Sequence, residues 1–478
     1  MMLRLKKIIE HPVVKNFSYV TIGSIVAQLL NLVAIVKISK LYGTESYGLY
    51  TFINVQSMLI FTIADLGLRN IIIRTIARDK FKTNDVVVNG LIIRLVSVLI
   101  FSLIYYGYNA QFGHLSTTNV ALISTFAFAY CVMNLFESTF WGHEQMLTPA
   151  ILNVSTSVLW LGIILFCTSK INFSVNQLFS IFIAIQVLTA LCYFIVLYSK
   201  KAFKGTVQPF FSSSKALIGQ SWPYFVLVVL NLPYTYLTNN FLDINSTKTE
   251  IGFFNLTQKM MSPISLVITF SLSALFPNLS KLWMDDQEKF KRIINQTTKL
   301  FFLMALVLCF LYTSFAEDIV KLFFNTKYYA IIKISQMQVW YVFLMGINSL
   351  IGTIWGATNN EKMLVKSSII NVIIAFPILY FSSKYGALGL SYGYVLSFAI
   401  FEIYLWIDFK KSINIKIDND LLMWLAFAIL FLLSYLFFHY LSFIIKIIII
   451  SVLISSVLIF YLKQYKNKVK VSSGAFGA

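Results

Sequence analysis

Two basic residues stand deep in apolar runs. Arg94 lies in VVVNGLIIRLVSVLIFSL (86–103) and Lys259 in IGFFNLTQKMMSPISLVITF (251–270). A cation in such a run is costly, and its retention points to a partner. That partner is either a carboxylate of the protein or an anionic group bound from outside, phosphate above all. Arg69 and Arg74 follow the second apolar run closely, where they meet an incoming anion or simply flank a membrane; Lys37 and Lys40 stand at the opposite end. Asp65 and Glu137 are the carboxylates nearest these groups in the pattern. They either bind a coupling cation or pair with Arg69 or Arg94 at helix ends. Glu402 and Asp408 are expected in interfacial water at the end of an apolar run, and Lys446 is expected to snorkel to its surface. His11, His114, His143 and His439 are scattered, and Cys131, Cys167, Cys192 and Cys309 sit in apolar runs without a CxxC pair. Neither a metal site nor a nucleophile–base pair follows from that spacing. The chemistry on offer is the holding of charge, with no cofactor.

The elements that position these residues follow from composition. Of 478 residues, 58% are hydrophobic and 12% are charged, whereas a soluble domain carries about 25% charged residues. The expected solvent is therefore lipid. A spanning helix needs roughly 20 apolar residues, and the chain offers fourteen such stretches, from 16–38 to 443–462, with short connections. The basic N-terminus followed by a long apolar run predicts an uncleaved first helix. The net charge of +19 has a ready explanation: most of the 38 Lys and Arg residues fall on alternate connections, those on the side of the N-terminus. By the positive-inside rule both termini are cytosolic and the helix count is even. Nucleic acid is not needed to explain the charge. The expected fold is an all-α integral membrane protein of about fourteen transmembrane helices.

Two short strings repeat. TESYGLYTF (44–52) and KTEIGFFNL (248–256) share Thr-Glu, then a large residue, Gly and an aromatic. WGHEQML (141–147) and WGATNNEKML (355–364) share Trp-Gly and Glu-x-Met-Leu. The first pair joins helix 1 to 2 and helix 7 to 8; the second joins helix 4 to 5 and helix 10 to 11. Two matches at nearly one offset predict that helices 1–6 and 7–12 are copies with one orientation, related by a pseudo-two-fold along the membrane normal. The expected division is 1–205 for the first lobe, 206–411 for the second, and 412–478 for an added helix pair and basic tail. Pro223, Pro233, Pro263 and Pro277 fall in helices 7 and 8, where bends suit a gate.

Several stretches together carry a resemblance. KNFSYV (15–20), SKLYGTESYGLYTF (39–52), ADLGLRNIIIRTIAR (64–78), ALFPNLSKL (274–282) and YGALGLSYGYVLS (385–397) appear in an order and spacing that resemble the polysaccharide-export branch of the multidrug/oligosaccharidyl-lipid/polysaccharide (MOP) flippase superfamily. Within that branch the chain is similar to the O-antigen (Wzx-like) flippases. Lys40 departs from the family's usual Arg, and fourteen helices exceed the twelve of many O-antigen flippases. The resemblance implies a bacterial cytoplasmic-membrane protein that is not an enzyme. It implies an oligosaccharide on a polyprenyl pyrophosphate, carried from inner to outer leaflet by lobes that open alternately. Membrane lipids and other polysaccharide-assembly proteins are the implied partners, and nucleic acid is not one. Helix 8 should line the cavity, and the resemblance places a basic residue near Lys259.

Two rival functions remain at this stage. A multidrug/cation antiporter of the same superfamily would want buried carboxylates where this chain has Arg94 and Lys259. A membrane enzyme such as a polysaccharide polymerase would want catalytic groups on sizeable outer loops, and the connections here are short.

Overall fold

In hydrocarbon, a backbone N–H or C=O without a partner costs several kcal/mol, so an apolar stretch satisfies its polar groups within a single helix. The computed structural model describes residues 12–436 apart from 114, 171–172, 416 and 418–419, and its regular elements are all helical among these residues. In chain order they are α1 (Pro12–Ala64), α2 (Leu68–Arg78), α3 (Thr83–Phe112), α4 (Thr117–Gly142), α5 (Leu147–Lys170), α6 (Val175–Ser199) and α7 (Phe210–Leu232). A π-turn over Pro233–Leu237 leads to α8 (Thr238–Asn245). There follow α9 (Lys248–Asp285), α10 (Gln287–Phe323), α11 (Ala330–Ala357), α12 (Glu361–Ser382), α13 (Gly386–Ile413) and α14 (Asp420–Leu436).

Among the described residues, nine segments are long and apolar enough to cross a membrane. Some hold two crossings. Ser18–Ala64 has 47 residues, about 70 Å of helix at ~1.5 Å per residue, against ~30 Å of hydrocarbon. The helix expected over 443–462, with Lys446 in it, lies outside the described residues.

Two connections differ from expectation. A loop was expected over 39–47, but α1 turns at a single residue, Gly43, with φ 76° and ψ 177°. Glycine alone takes that conformation without a Cβ penalty. The first arm of α1 lies on α5, where Asn31 Nδ2 donates to Ser157 Oγ at 3.1 Å. The second arm, 44–64, lies on α9, and its Asn-rich contacts are described below. The segment after Gly67 was expected as a basic loop and is instead the short helix α2. Leu68, Ile71, Ile72 and Ile76 form its buried face, with Arg69, Arg74 and Arg78 turned away. The apolar spacing of three and four residues explains it.

The two Trp-Gly strings end their helices alike. Glu144 (φ 60°) and Asn359 (φ 58°) take the left-handed conformation. Gln145 N donates to Phe140 O at 3.0 Å, and Asn360 N donates to Trp355 O at 2.9 Å. Each is the six-to-one closure that satisfies a last-turn carbonyl.

A large apolar core runs through both halves, and a smaller one joins α2, α3, α4 and α6 at the Arg74 end of the bundle. Leu103, Ile195, Ile373 and Leu421 are exposed on the outside, as befits surface wetted by acyl chains. α14 docks on α11 by aromatic contact: Phe427 stacks on Phe343 at 4.8 Å and meets Trp340 edge-on at 5.6 Å.

Candidate functional site

The repeated glycines meet. Gly48 on α1 and Gly252 on α9 bring the two backbones together; a Cβ on Gly48 would lie 1.7 Å from the Lys248 carbonyl oxygen, and one on Gly252 would lie 3.1 Å from Gly48 N. No side chain fits between them. Lys248 braces this end, paired with Asp243 and lying over the Phe52 ring at 4.0 Å. Glu250 reaches across to another helix. Its Oε2 accepts from Ala387 N at 2.7 Å and so caps the start of α13.

From this closure a ladder of amides and hydroxyls descends between the two halves. Asn255 Nδ2 donates to Asn239 Oδ1 at 2.6 Å and reaches Thr51 Oγ1 at 3.4 Å. Gln56 Nε2 donates to Asn240 Oδ1 at 2.5 Å, and Thr62 Oγ1 lies 3.0 Å from Tyr236 Oη. At the far end Arg74 Nη2 donates to Gln220 Oε1 at 3.1 Å. These amides were missed from the sequence. Their signal was polar residues inside apolar spans, which bond across helices in membranes.

The carboxylates pair as one of the two expected options. Arg94 is wholly buried and paired with Asp65. Glu137 takes Arg69, whose Nη2 lies 3.6 Å from Glu137 Oε2. Arg69 also sits over the Trp141 ring at 5.7 Å. Asn153 Nδ2 donates to Glu137 Oε1 at 3.4 Å. Breaking one side of a buried pair leaves an uncompensated charge, at a cost of about 3–5 kcal/mol. Asp65→Ala should therefore lose stability sharply, and Asp65→Leu with Arg94→Leu should recover much of it. Monodispersity in detergent after graded heating measures both; equal losses in the single and double variants would contradict the pairing.

His143 closes the turn after α4, with Nε2 3.2 Å from Thr83 Oγ1. Burial holds its pKa below the ordinary histidine value of 6.5, and Lys80 and Lys204 add to the effect. The folded state therefore binds the proton less readily than the unfolded state. Stability from this group is present at neutral pH and falls as pH drops below 6.5 toward the folded-state value. The thermal midpoint should drop more between pH 7.5 and 5.5 in the native protein than in His143→Gln; identical drops would remove His143 from the account.

Lys259 differs from the other buried-span cations. Its side chain is exposed, and no hydrogen bond or ion pair reaches its Nζ among the described residues. Buried Leu256, Met260 and Met261 stand beside it on α9. Lys37 and Lys40 are exposed on the first arm of α1. Pro223 lies inside α7, Pro233 opens the π-turn, and Pro263 lies within α9. The side chain of Pro277 lies outside those described. At the π-turn the Tyr394 hydroxyl donates to Tyr234 O at 2.5 Å. Two cavities flank this region. One of about 300 Å³ lies between Thr62, Asn70 and α7; another of about 420 Å³ lies between α9 and α11.

Glu402 was expected in interfacial water. It is buried in α13, with neither carboxylate oxygen hydrogen-bonded among the described residues. Asp408, a turn and a half on, does find partners: Lys366 Nζ at 3.4 Å and Tyr404 Oη at 3.0 Å.

The chain has relatives. The family described as Polysaccharide biosynthesis protein matches residues 13–283, and the family described as Lipid II flippase MurJ matches residues 251–467. An uncharacterized membrane protein in the cps region of Klebsiella pneumoniae is 30% identical over 152 residues, which span 31% of this chain and 30% of that protein. The fold is similar to that of the lipid II flippase MurJ in an inward closed conformation, with a TM-score of 0.74 at 15% identity over 93% of this chain and 99% of that one. It is also similar to an inward-facing multidrug resistance MATE family transporter of the MOP superfamily, with a TM-score of 0.64 at 14% identity over 81% of this chain and 95% of that one. With a family match over more than half its length, the chain belongs to the family described as Polysaccharide biosynthesis protein.

Proposed function

We propose that the protein flips a polyprenyl-pyrophosphate-linked oligosaccharide, an O-antigen or related polysaccharide unit, from the inner to the outer leaflet of a bacterial cytoplasmic membrane. Residues 1–205 and 206–411 form two lobes that rock about a central cavity, with both termini cytosolic. Residues 412–478 follow the second lobe, and most of them lie outside the described residues. The observation that carries this reading is Lys259, a cation within a membrane span that has no partner among the described residues and suits a pyrophosphate. Arg69 and Arg74 stand at the entrance, and Lys37 and Lys40 at the exit rim. Arg94 with Asp65 holds the first lobe together. The prolines of α7 and α9 let those helices bend. The Gly48–Gly252 contact closes the outer side in this conformation.

The test is a strain depleted of the protein. Lipid-linked oligosaccharide is extracted and weighed by mass spectrometry, and its leaflet is read by access to an added glycosidase. Inward-facing accumulation with a fall in surface polysaccharide supports the reading. An unchanged level and sidedness removes it. A second reading, a cation antiporter, draws on Glu402, a buried carboxylate without a hydrogen bond among the described residues. Efflux of a cationic dye that depends on Glu402 would favour it.

A further inference from the structure

Resting on the transport reading above, we propose that the groove between α7 and the α1–α2 junction is an entry subsite for a sugar bearing an N-acetyl group, held next to the diphosphate. The groove holds about 300 Å³, at the lower end of the ~300–1,000 Å³ range of small-molecule sites. Tyr224, Leu227, Val228, Asn231 and Leu232 line it from α7, at the spacing of three and four that makes one helix face. Asn70 lines it from α2, and Thr62 from the end of α1. Gly67 fixes the distance between these walls. It takes φ 73°, and a Cβ there would lie 2.8 Å from Phe225 N and 2.9 Å from the Ser221 carbonyl oxygen. The junction therefore rests directly on the α7 backbone.

The polar groups of the groove match an amide. Asn231 Nδ2 donates to Leu227 O at 2.6 Å, which leaves its Oδ1 as an acceptor. The Asn70 side chain makes no hydrogen bond among the described residues, so its N–H donors are open. Both side chains are exposed, and α7 belongs to a segment apolar enough to span a membrane. A carboxamide left to hydrocarbon is costly, so this face calls for water or a polar ligand. An acetamido group brings an N–H for Asn231 Oδ1, a carbonyl for Asn70 Nδ2, and a methyl for Leu227, Val228 and Leu232. A plain hydroxyl presents donor and acceptor from one atom, brings no methyl, and leaves the aliphatic wall wet. At one end of the groove Thr62 Oγ1 donates to Tyr236 Oη at 3.0 Å, so the Tyr236 hydrogen remains for a ring hydroxyl. At the other end stand Arg74, one turn beyond Asn70, and Gln220, one turn before Tyr224, joined Nη2 to Oε1 at 3.1 Å. That bond uses one of the five guanidinium donors. The others can hold a diphosphate whose first sugar lies in the groove.

Binding to the purified full chain in nanodiscs tests this with three probes: farnesyl diphosphate, its glucosyl derivative and its N-acetylglucosaminyl derivative. The acetamido form should bind about 30-fold more tightly than the glucosyl form, the effect of two modest net hydrogen bonds and one buried methyl. Asn231→Leu and Asn70→Leu should each cut that preference to about threefold or less, because the acetamido group then meets the groove with one polar atom unpaired. Monodispersity in detergent reports whether each variant is folded. A second measurement needs no variant and decides the matter if neither folds. A diazirine-bearing acyl group in place of the acetyl should crosslink the native chain within 62–70 and 224–236, the segments that line the groove. Equal binding of the two sugar forms, a preference that survives intact in both folded variants, or crosslinks confined to other segments overturns the subsite and leaves the transport reading standing. Failure of the native protein to bind any of the three diphosphates overturns both.

Discussion

Gly48→Leu should leave the protein inserted but open at the end where α1 and α9 now touch. Even a Cβ at this position would lie 1.7 Å from the Lys248 carbonyl oxygen, and backbone cannot step aside as a flexible side chain does. Overpacking costs typically 1–3 kcal/mol, and ~2.8 kcal/mol is about a 100-fold change in an equilibrium constant. The helices escape that cost by separating, so the population shifts toward the conformation in which they are apart. A cysteine at Tyr47, buried at 1% exposure, reports the change in a background cleared of native cysteines. A membrane-impermeant maleimide should label it slowly with Gly48 present and fast with leucine there, and surface polysaccharide should fall to near nothing. Unchanged labelling together with normal polysaccharide would show that this contact is not the closure. Gly252→Leu should act in the same direction, since it enters the same crossing from the other helix.

Lys259 should give the second large effect, this time on binding with the conformation intact. A hydrogen bond to a charged group contributes about 1.5–3 kcal/mol, so Lys259→Ala should weaken a pyrophosphate ligand by about 10- to 150-fold. Lys259→Glu should abolish transport outright by placing like charge against the ligand. Lys259→Arg should retain most activity. Complementation of a depleted strain, with protein level checked by immunoblot, reads all three. Full complementation by the alanine form would end the case for a cationic cavity. Arg94→Ala should also fail to complement, but through loss of stable protein, because that guanidinium faces Asp65. The two failures are told apart by the amount of protein in the membrane.

Much of the helical architecture was legible because lipid imposes it: an apolar run has few ways to satisfy its backbone. The end-of-helix strings were legible too, since Gly and Trp-Gly turns carry local geometry. Pairing between helices was not. Spacing along α3 says that Arg94 is inside the span, but which way it points depends on the rotation and tilt of α3 against its neighbours. Asp65 and Glu137 were equally plausible partners until those were fixed. The same holds for Glu402, whose place near the end of an apolar run suggested water and whose packing between α11 and α12 removes it. α2 was misread because its apolar face is only four residues wide and its basic residues dominate the string.

The single-residue joint at Gly43 has a mechanical meaning. The arm beyond it, 44–64, behaves as a stiff rod of about 30 Å at ~1.5 Å per residue. The first arm is tied to α5, so that rod pivots on an anchored post. By simple trigonometry on that length, a swing of about 10° sweeps its tip, next to Asp65 and Arg69, through about 5 Å while Gly43 itself scarcely moves. Small torsional changes at one glycine are thereby geared into a displacement comparable to the pitch of a helix, delivered where the arginines of α2 stand.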